Sequence, residues 1–102
     1  IKMCNVFVLT IDIALDHDDI NKRQIVDMLH KGLNRYVIED VTFFKDYRMI
    51  LTISCDRSLR MTTVKKDIEQ IFSVEGKETW LDDHTELRLK NVRCTREFEK
   101  NQ

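Results

Sequence analysis

Residues 37–55 (VIEDVTFFKDYRMILTISC) decide the fold, because they hold two strand patterns joined by only three residues. Val37 to Phe44 and Arg48 to Cys55 are both rich in β-branched and aromatic side chains, with residues 45–47 between them. A connection this short joins antiparallel neighbours. The stretch therefore predicts a β-hairpin in the middle of the chain.

A strand and a helix are predicted on either side of this hairpin. Residues 4–13 (CNVFVLTIDI) have a strand pattern, and apolar side chains at helical spacing predict a helix within residues 20–36. Residues 61–74 predict a second helix and residues 86–95 a last strand. The order βαββαβ is typical of an α+β, ferredoxin-like sandwich, in which a four-stranded antiparallel sheet carries both helices on one face. We expect one such domain over residues 1–102, with the last strand beside the first, then the third, then the second.

Composition limits the classes of function. The chain has 102 residues, is 42% apolar and 34% charged, and its 17 basic and 18 acidic side chains give a net charge of −1. This balance argues against an unspecific nucleic-acid or membrane binder. No apolar run approaches the ~20 residues that a membrane-spanning helix needs. Because the sequence begins at Ile1 rather than at a methionine, we expect it to be a segment of a longer protein.

The two-residue period of strands assigns side chains to the two faces of the sheet. Those expected toward the helices are Phe7, Leu9, Ile11, Ile13, Met49, Leu51, Ile53, Leu87 and Leu89. The opposite face, called the open face below, is expected to carry Val6, Val8, Thr10, Arg48, Ile50, Thr52, Arg88 and Lys90. It is either an ordinary half-solvated surface or a docking site for a neighbouring domain or a second copy. The candidate interface residues are Val6, Val8, Thr10, Ile50, Arg48 and Arg88.

The three cysteines suggest a disulfide. Cys4 begins the first strand and Cys94 lies near the end of the last, its antiparallel neighbour, and by parity both point to the open face. Cys55 has the parity of the core. We therefore predict a Cys4–Cys94 bridge, which would stabilise by around 4 kcal/mol in the chain-entropy model, and a buried thiol at Cys55. Such a bridge implies an oxidising compartment. The alternative is three free thiols in a reducing compartment.

Two groups of acids and histidines are predicted to share one end of the fold. The first is Asp12, Asp16, His17, Asp18 and Asp19, and the second is Asp82, Asp83, His84 and Glu86. Their spacing fits no EF-hand loop, and the cysteines lack the paired spacing of a zinc site. We interpret these side chains as solvated capping and loop residues, and expect no metal and no other cofactor.

Neither catalysis nor RNA binding has a strong sequence pattern. No glycine-rich phosphate loop, H-E-x-x-H motif or nucleophile elbow is present, so we expect no enzyme activity. RNA-recognition modules share the βαββαβ topology but stack bases on open-face aromatics. Here the first-strand aromatic, Phe7, has core parity. The basic residues Arg57, Arg60, Lys65, Lys66, Arg93 and Arg96 gather toward one end, which we interpret as a solvated surface.

Residues 4–33 (CNVFVLTIDIALDHDDINKRQIVDMLHKGL) resemble the start of the ribosomal-S6-like domain in the N-terminal region of the dystroglycan family. The shared features are a cysteine before a VLT-containing strand, an acid-bearing turn and a helix with the pattern K/R-Q/R-I-x-D-x-L-H. A closing cysteine after LRLKNVRC, at Cys94, also matches, and the family pairs these two cysteines. The similarity is lower through the hairpin and lowest from residue 61 to residue 91, where this chain is longer than the family pattern.

The resemblance implies a non-catalytic module of a cell-surface glycoprotein that binds the extracellular matrix. The implied partners are a preceding immunoglobulin-like domain packed on the open face, and a glycosyltransferase or a matrix protein. It implies no bound nucleic acid and no direct membrane contact. The chain itself has no N-x-[ST] glycosylation sequon. The alternative is an intracellular module with RNA-recognition topology that binds nucleic acid or protein.

Overall fold

The computed structural model describes residues 3–15, 22–45, 48–56, 58–74, 77–80 and 86–101. Two helices and six strands occur in this part of the chain. In chain order they are β1 (Met3–Leu15), α1 (Lys22–Gly32), β2 (Val37–Phe44), β3 (Arg48–Asp56), α2 (Met61–Phe72), β4 (Ser73–Val74), β5 (Lys77–Trp80) and β6 (Glu86–Asn101).

The four long strands form the expected antiparallel sheet. Their order is β2-β3-β1-β6, so the predicted neighbours and the predicted ferredoxin-like α+β fold are confirmed. The short strands β5 and β4 continue the sheet beyond β6. The sequence pattern instead predicted a helix end and a polar loop there. The predicted bounds of β2 are confirmed, whereas β6 continues to Asn101, six residues beyond the predicted end.

The core lies between the sheet and the two helices. Alternate residues of β1 and β3 face the helices and are almost completely buried, as the two-residue period predicts. These residues are Phe7, Leu9, Ile11, Ile13, Met49, Leu51 and Ile53. The helices contribute Ile25, Leu29, Val64, Ile68 and Phe72 at helical spacing. Leu89 packs against this cluster as expected, and the side chain of Leu87 lies outside the described part of the structure.

The two helices meet at a glycine. Gly32 is the last residue of α1, and a Cβ built there would lie 2.8 Å from the Cδ1 atom of Ile71 on α2, and closer still to Cγ1. A side chain at this position would therefore displace Ile71. The sequence pattern left open whether Gly32 ends the helix or weakens its last turn, and the structure shows that it ends the helix.

A polar contact holds the segment after α1 against α2. The Tyr36 hydroxyl and the Arg35 guanidinium both donate hydrogen bonds to Asp67 Oδ2, with Arg35 Nε at 3.0 Å. Tyr36 is 8% exposed, and its burial together with the bond to Asp67 raises the pKa of its hydroxyl. The contact holds residues 35 and 36, which directly precede β2, against α2. Because β2 is an outer strand of the sheet, the contact also positions that edge.

Two β-bulges interrupt the pairing of β6 with β1. Leu89 lies opposite Ile13 and Asn91 opposite Asp12, which leaves Lys90 without a partner on β1. Cys94 lies opposite Leu9 and Arg96 opposite Val8, so no β1 residue lies directly opposite Thr95, whose hydroxyl donates a hydrogen bond to the Val8 carbonyl. The side-chain alternation of β6 is therefore reversed between the bulges and restored after them. This reversal decides which β6 residues reach the open face.

Candidate functional site

One half of the open face is covered by the protein's own side chains. Lys100 on β6 crosses the two central strands to Glu39 on β2, with Nζ 3.0 Å from Oε1. The hydroxyl of Ser54 donates a hydrogen bond of 2.8 Å to the same Glu39 oxygen. Val6, between these strands, is 2% exposed and Cys4 is 1% exposed. This half of the open face is therefore closed to a docking partner.

The position of Glu39 comes from a third bulge. Ile38 lies opposite Ile53 and Asp40 opposite Thr52, so no β3 residue lies directly opposite Glu39 in the backbone register. The extra residue turns its carboxylate over the open face. The hydrogen bond from Ser54, then the hydrogen bond from Lys100 and its charge, hold the pKa of Glu39 below its ordinary value.

The other half of the open face contains a shallow cavity of about 570 Å³, called the hairpin-end cavity below. The described residues that line it are Asp12, Phe44, Lys45, Arg48 and Ile50. Arg48 lies directly opposite Asp12 across β1 and β3, and its Nε donates a hydrogen bond of 2.7 Å to Asp12 Oδ1. This bond, followed by the positive charges nearby, lowers the pKa of Asp12. Phe44 is 50% exposed beside it.

Basic side chains follow the open face of β6 next to this cavity. Arg93 lies opposite Thr10, Arg96 opposite Val8 and Phe98 opposite Val6. The guanidinium carbon of Arg96 lies 4.5 Å from the centre of the Phe98 ring, within the range of a cation–π contact. The open face is therefore apolar in the middle and positively charged along β6.

The candidate interface residues have different environments. Val6 and Thr10 are buried within the chain itself, so they cannot supply contact area, and their prediction as interface residues is corrected. Val8 and Ile50 are half-buried, and the side chain of Arg48 is 52% exposed. The side chain of Arg88 lies outside the described part of the structure.

Sequence reasoning missed three residues that border the uncovered half: Phe44, Lys45 and Arg93. Phe44 lies opposite Arg48, so the same parity that placed Arg48 on the open face would have placed Phe44 there too. Arg93 was considered only as part of a general basic group. Its place on the open face follows from the bulge at Lys90, for which the sequence has no local marker.

The predicted Cys4–Cys94 disulfide is contradicted by the register. Cys4 lies opposite Lys100 and Cys94 opposite Leu9, so the two cysteines are five positions apart along β1 and on opposite faces of the sheet. Five positions correspond to about 16 Å of strand. A disulfide needs Cα atoms within about 7 Å of each other, so no bridge can form in this arrangement. All three cysteines are free thiols.

The surroundings of the three thiols differ. Cys55 is 5% exposed in the core, as predicted, and burial raises its pKa to about 11. Cys94 is half-buried against the core, and burial raises its pKa as well. The charge of Arg35 opposes the rise in the pKa of Cys55, but burial outweighs it, so neither raised pKa favours a reactive thiolate.

Most of the acid and histidine residues considered as metal ligands lie outside the described part of the chain. These are Asp16, His17, Asp18, Asp19, Asp82, Asp83 and His84, together with the side chain of Glu86. Asp12 is described, and it pairs with Arg48. Among the described residues, no group of three or more histidine, cysteine, aspartate or glutamate side chains is close enough to hold a metal ion. His30 is exposed on α1.

The predicted core position of Phe7 on β1 is confirmed. Phe7 is fully buried against the helices. The open-face residues of β3 are Arg48, Ile50, Thr52 and Ser54, as predicted, and Ser54 is buried. Of the predicted basic group, Arg57 lies outside the described residues, whereas Lys65 and Lys66 are exposed on α2.

Comparison with known proteins gives no match, so inferences about function depend mainly on the geometry of the described residues. Within the residues that the structure describes, neither helix is both long and apolar enough to cross a membrane. The chain matches no family model, no curated protein sequence and no solved structure at a significant level.

Proposed function

We propose that this chain is a non-catalytic recognition module of a dystroglycan-like cell-surface receptor, and that a neighbouring domain of that receptor docks on its open face. The observation that carries the docking proposal is the uncovered apolar area around Val8, Ile50 and Phe44. The helix-facing side of the sheet is filled by the core, and the half of the open face around Val6 is closed by the chain itself.

The assignment to a receptor depends on sequence resemblance. Residues 4–33 carry it, and they include all of β1 except Met3 and all of α1. The βαββαβ order is compatible with an S6-like domain. The cysteine pair of that family lends no support, because Cys4 and Cys94 lie on opposite faces of the sheet.

Cross-linking in the longer parent chain tests the docking surface. Lys45 lies beside the uncovered area, whereas Lys31 and Lys66 are exposed on the helices. With an amine-reactive cross-linker and mass spectrometry, we expect Lys45 to link to the neighbouring domain and the two helix lysines not to. Links from Lys31 or Lys66 alone would show that the domain docks elsewhere.

Substitution at the centre of the area provides an independent measurement. Ile50→Lys places a charge in the proposed contact and should abolish the Lys45 cross-links, whereas Gln70→Lys on the exposed side of α2 should leave them unchanged. Secretion of the parent chain from animal cells tests the receptor assignment separately. A parent chain that stays in the cytosol would overturn that assignment but not the docking surface.

Nucleic-acid binding is a second candidate function, favoured by the contact of Arg96 with Phe98 and by the neighbouring Arg93. Basic side chains beside an aromatic ring are the usual components of a single-strand binding surface. An RNA binder would retain a labelled oligonucleotide with an affinity that falls steeply with salt, and Phe98→Ala would weaken it. If the oligonucleotide does not bind at low salt, this candidate is excluded.

A further inference from the structure

The hairpin-end cavity lies between two rows of side chains that cross the sheet. Phe44, Arg48 and Asp12 follow one another across β2, β3 and β1 in the first row. Ile50, Thr10 and Arg93 follow one another across β3, β1 and β6 in the second. The cavity is therefore built on paired backbone, and Lys45 at the beginning of the hairpin connection borders it.

Among the described residues that line this cavity, positive charge exceeds negative charge. Asp12 is the acid among its described lining residues, and Arg48 binds it directly. The charges of Arg93 and Lys90 also act on Asp12 and contribute to its lowered pKa. Lys45 adds a further positive charge at the rim. In the described part of the chain, neither Lys45 nor Arg93 forms an ion pair.

Apolar surface is present beside this positive charge. The ring of Phe44 is half exposed and Ile50 is half-buried, and both line the cavity. A volume of about 570 Å³ is within the usual range for a small-molecule site. A ligand that fits both features combines an oxyanion with an apolar or aromatic group.

We propose that the hairpin-end cavity binds a small organic ester of phosphate or sulfate. Lys45 and Arg48, which line the cavity, hold the tetrahedral oxyanion, because charged donors form the strongest hydrogen bonds to such groups. Arg93 does not line the cavity and adds positive charge from the neighbouring row. The apolar part of the ester lies against Phe44 and Ile50. The site shares Phe44, Ile50 and Lys45 with the docking surface proposed above, so the ester and a docked domain would exclude each other there. Binding of the ester to this chain does not depend on docking.

Calorimetric titration with four probes at low ionic strength tests the site: phenyl phosphate, phenyl sulfate, inorganic phosphate and benzyl alcohol. We expect phenyl phosphate or phenyl sulfate to bind about tenfold more tightly than inorganic phosphate, because burying the ring adds apolar contact. Benzyl alcohol should not bind measurably. Preference for one ester over the other identifies phosphate or sulfate as the natural group. If neither ester binds, the proposal is wrong.

Two double variants distinguish binding of phenyl phosphate at the hairpin-end cavity from nonspecific electrostatic attraction to the protein. The double variant Lys45→Gln/Arg93→Gln should weaken phenyl phosphate about tenfold or more. Lys31→Gln/Lys66→Gln removes the same charge from the exposed helix surfaces and should leave its affinity unchanged. An equal loss of affinity for phenyl phosphate in both double variants would overturn the proposal. All four positions are exposed, so the variants should fold, and circular dichroism verifies this.

Two further measurements test the apolar half of the site and the competing nucleic-acid ligand. Phe44→Ser should remove the advantage of phenyl phosphate over inorganic phosphate, and an unchanged advantage would contradict the proposed position of the ring. If a long oligonucleotide binds much more tightly than a mononucleotide, and Phe98→Ala rather than Phe44→Ser weakens it, the surface binds a polymer and the small-ester proposal fails.

Discussion

Lys100 on the last strand binds Glu39 on the second strand, although β1 and β3 lie between them in the sheet. The 3.0 Å contact crosses the open face above Val6, and Ser54 hydrogen bonds to the same carboxylate. The bridge holds the strand at one edge to the far end of β6. It also separates a closed half of the open face from the half that carries the hairpin-end cavity.

This bridge predicts a pH dependence of stability. The pKa of Glu39 is lowered in the folded state, chiefly by the Ser54 hydrogen bond and then by Lys100. The bridge therefore stabilises the fold fully above the ordinary pKa of 4.5 and loses its effect as the pH falls through the lower folded value. We expect Glu39→Gln to lower the free energy of unfolding at pH 7 and to have a smaller effect near pH 3. Urea unfolding at the two pH values measures the difference.

An exposed glutamate on α2 provides the control. Glu69→Gln should change the free energy of unfolding by a similar small amount at both pH values. A pH-independent effect of Glu39→Gln would show that the carboxylate is unpaired in solution. NMR titration of the Glu39 carboxyl then tests the cause: Ser54→Ala and Lys100→Met should each raise its pKa.

The contact of Tyr36 with Asp67 predicts an energetic coupling between the entry to β2 and helix α2. Tyr36→Phe removes one hydrogen bond and should lower the free energy of unfolding by about 1 kcal/mol. Asp67→Ala removes the carboxylate to which both Tyr36 and Arg35 donate and should cost about 1–3 kcal/mol. The double variant should cost less than the sum of the two, and additive costs would show that the two residues do not interact.

Much of this fold can be predicted from short-range patterns in the sequence. The bounds of β2 and the identity of its hairpin partner were predictable, because each strand alternates regularly and the connection between them is short. The helix-facing residues of β1 were predictable for the same reason: Phe7, Leu9 and Ile11 repeat every second residue without interruption.

The last strand was harder to predict because its alternation is broken twice. Lys90 and Thr95 are the bulged residues, and neither a glycine nor a proline marks them in the sequence. Simple parity placed Cys94 on the open face, but it lies between the bulges, where the alternation is reversed. A regular two-residue alternation therefore predicts neither the separation of Cys94 from Cys4 nor the position of Arg93 on the open face.

The covering of Val6 could not be predicted either. On this half of the open face, the contact between Glu39 and Lys100 joins the two outer long strands across residues that are 61 positions apart in sequence. A third bulge, at Glu39, is needed to direct the carboxylate over the sheet. Parity can assign a residue to a face, but it does not show whether a distant side chain covers that face.

The close approach of the helices at Gly32 predicts a loss of stability on adding a single methyl group. Gly32→Ala forces Ile71 to move and should lower the free energy of unfolding by about 1–3 kcal/mol. Lys31→Ala, one residue earlier in the same helix and exposed, should change it by less than about 0.5 kcal/mol. Thermal unfolding followed by circular dichroism compares the two.

A second substitution tests the cause. Ile71→Ala shortens the side chain that a Cβ at Gly32 would meet, so Gly32→Ala should be better tolerated in that background. If the loss is the same in both backgrounds, the cost comes from elsewhere in the turn after α1.

The three thiols predict a definite order of chemical labelling. Cys94 is half-buried, whereas Cys4 and Cys55 are 1% and 5% exposed. In the folded protein, N-ethylmaleimide should label Cys94 first, and slowly, because its pKa is raised. Cys4 and Cys55 should become reactive only on unfolding.

Mass spectrometry of protein purified without reductant should find all three thiols unpaired, and a Cys4–Cys94 bridge would require a different register between β1 and β6. A Cys94→Ser variant provides the control: it should remove the early labelling and leave the labelling of the unfolded chain at Cys4 and Cys55.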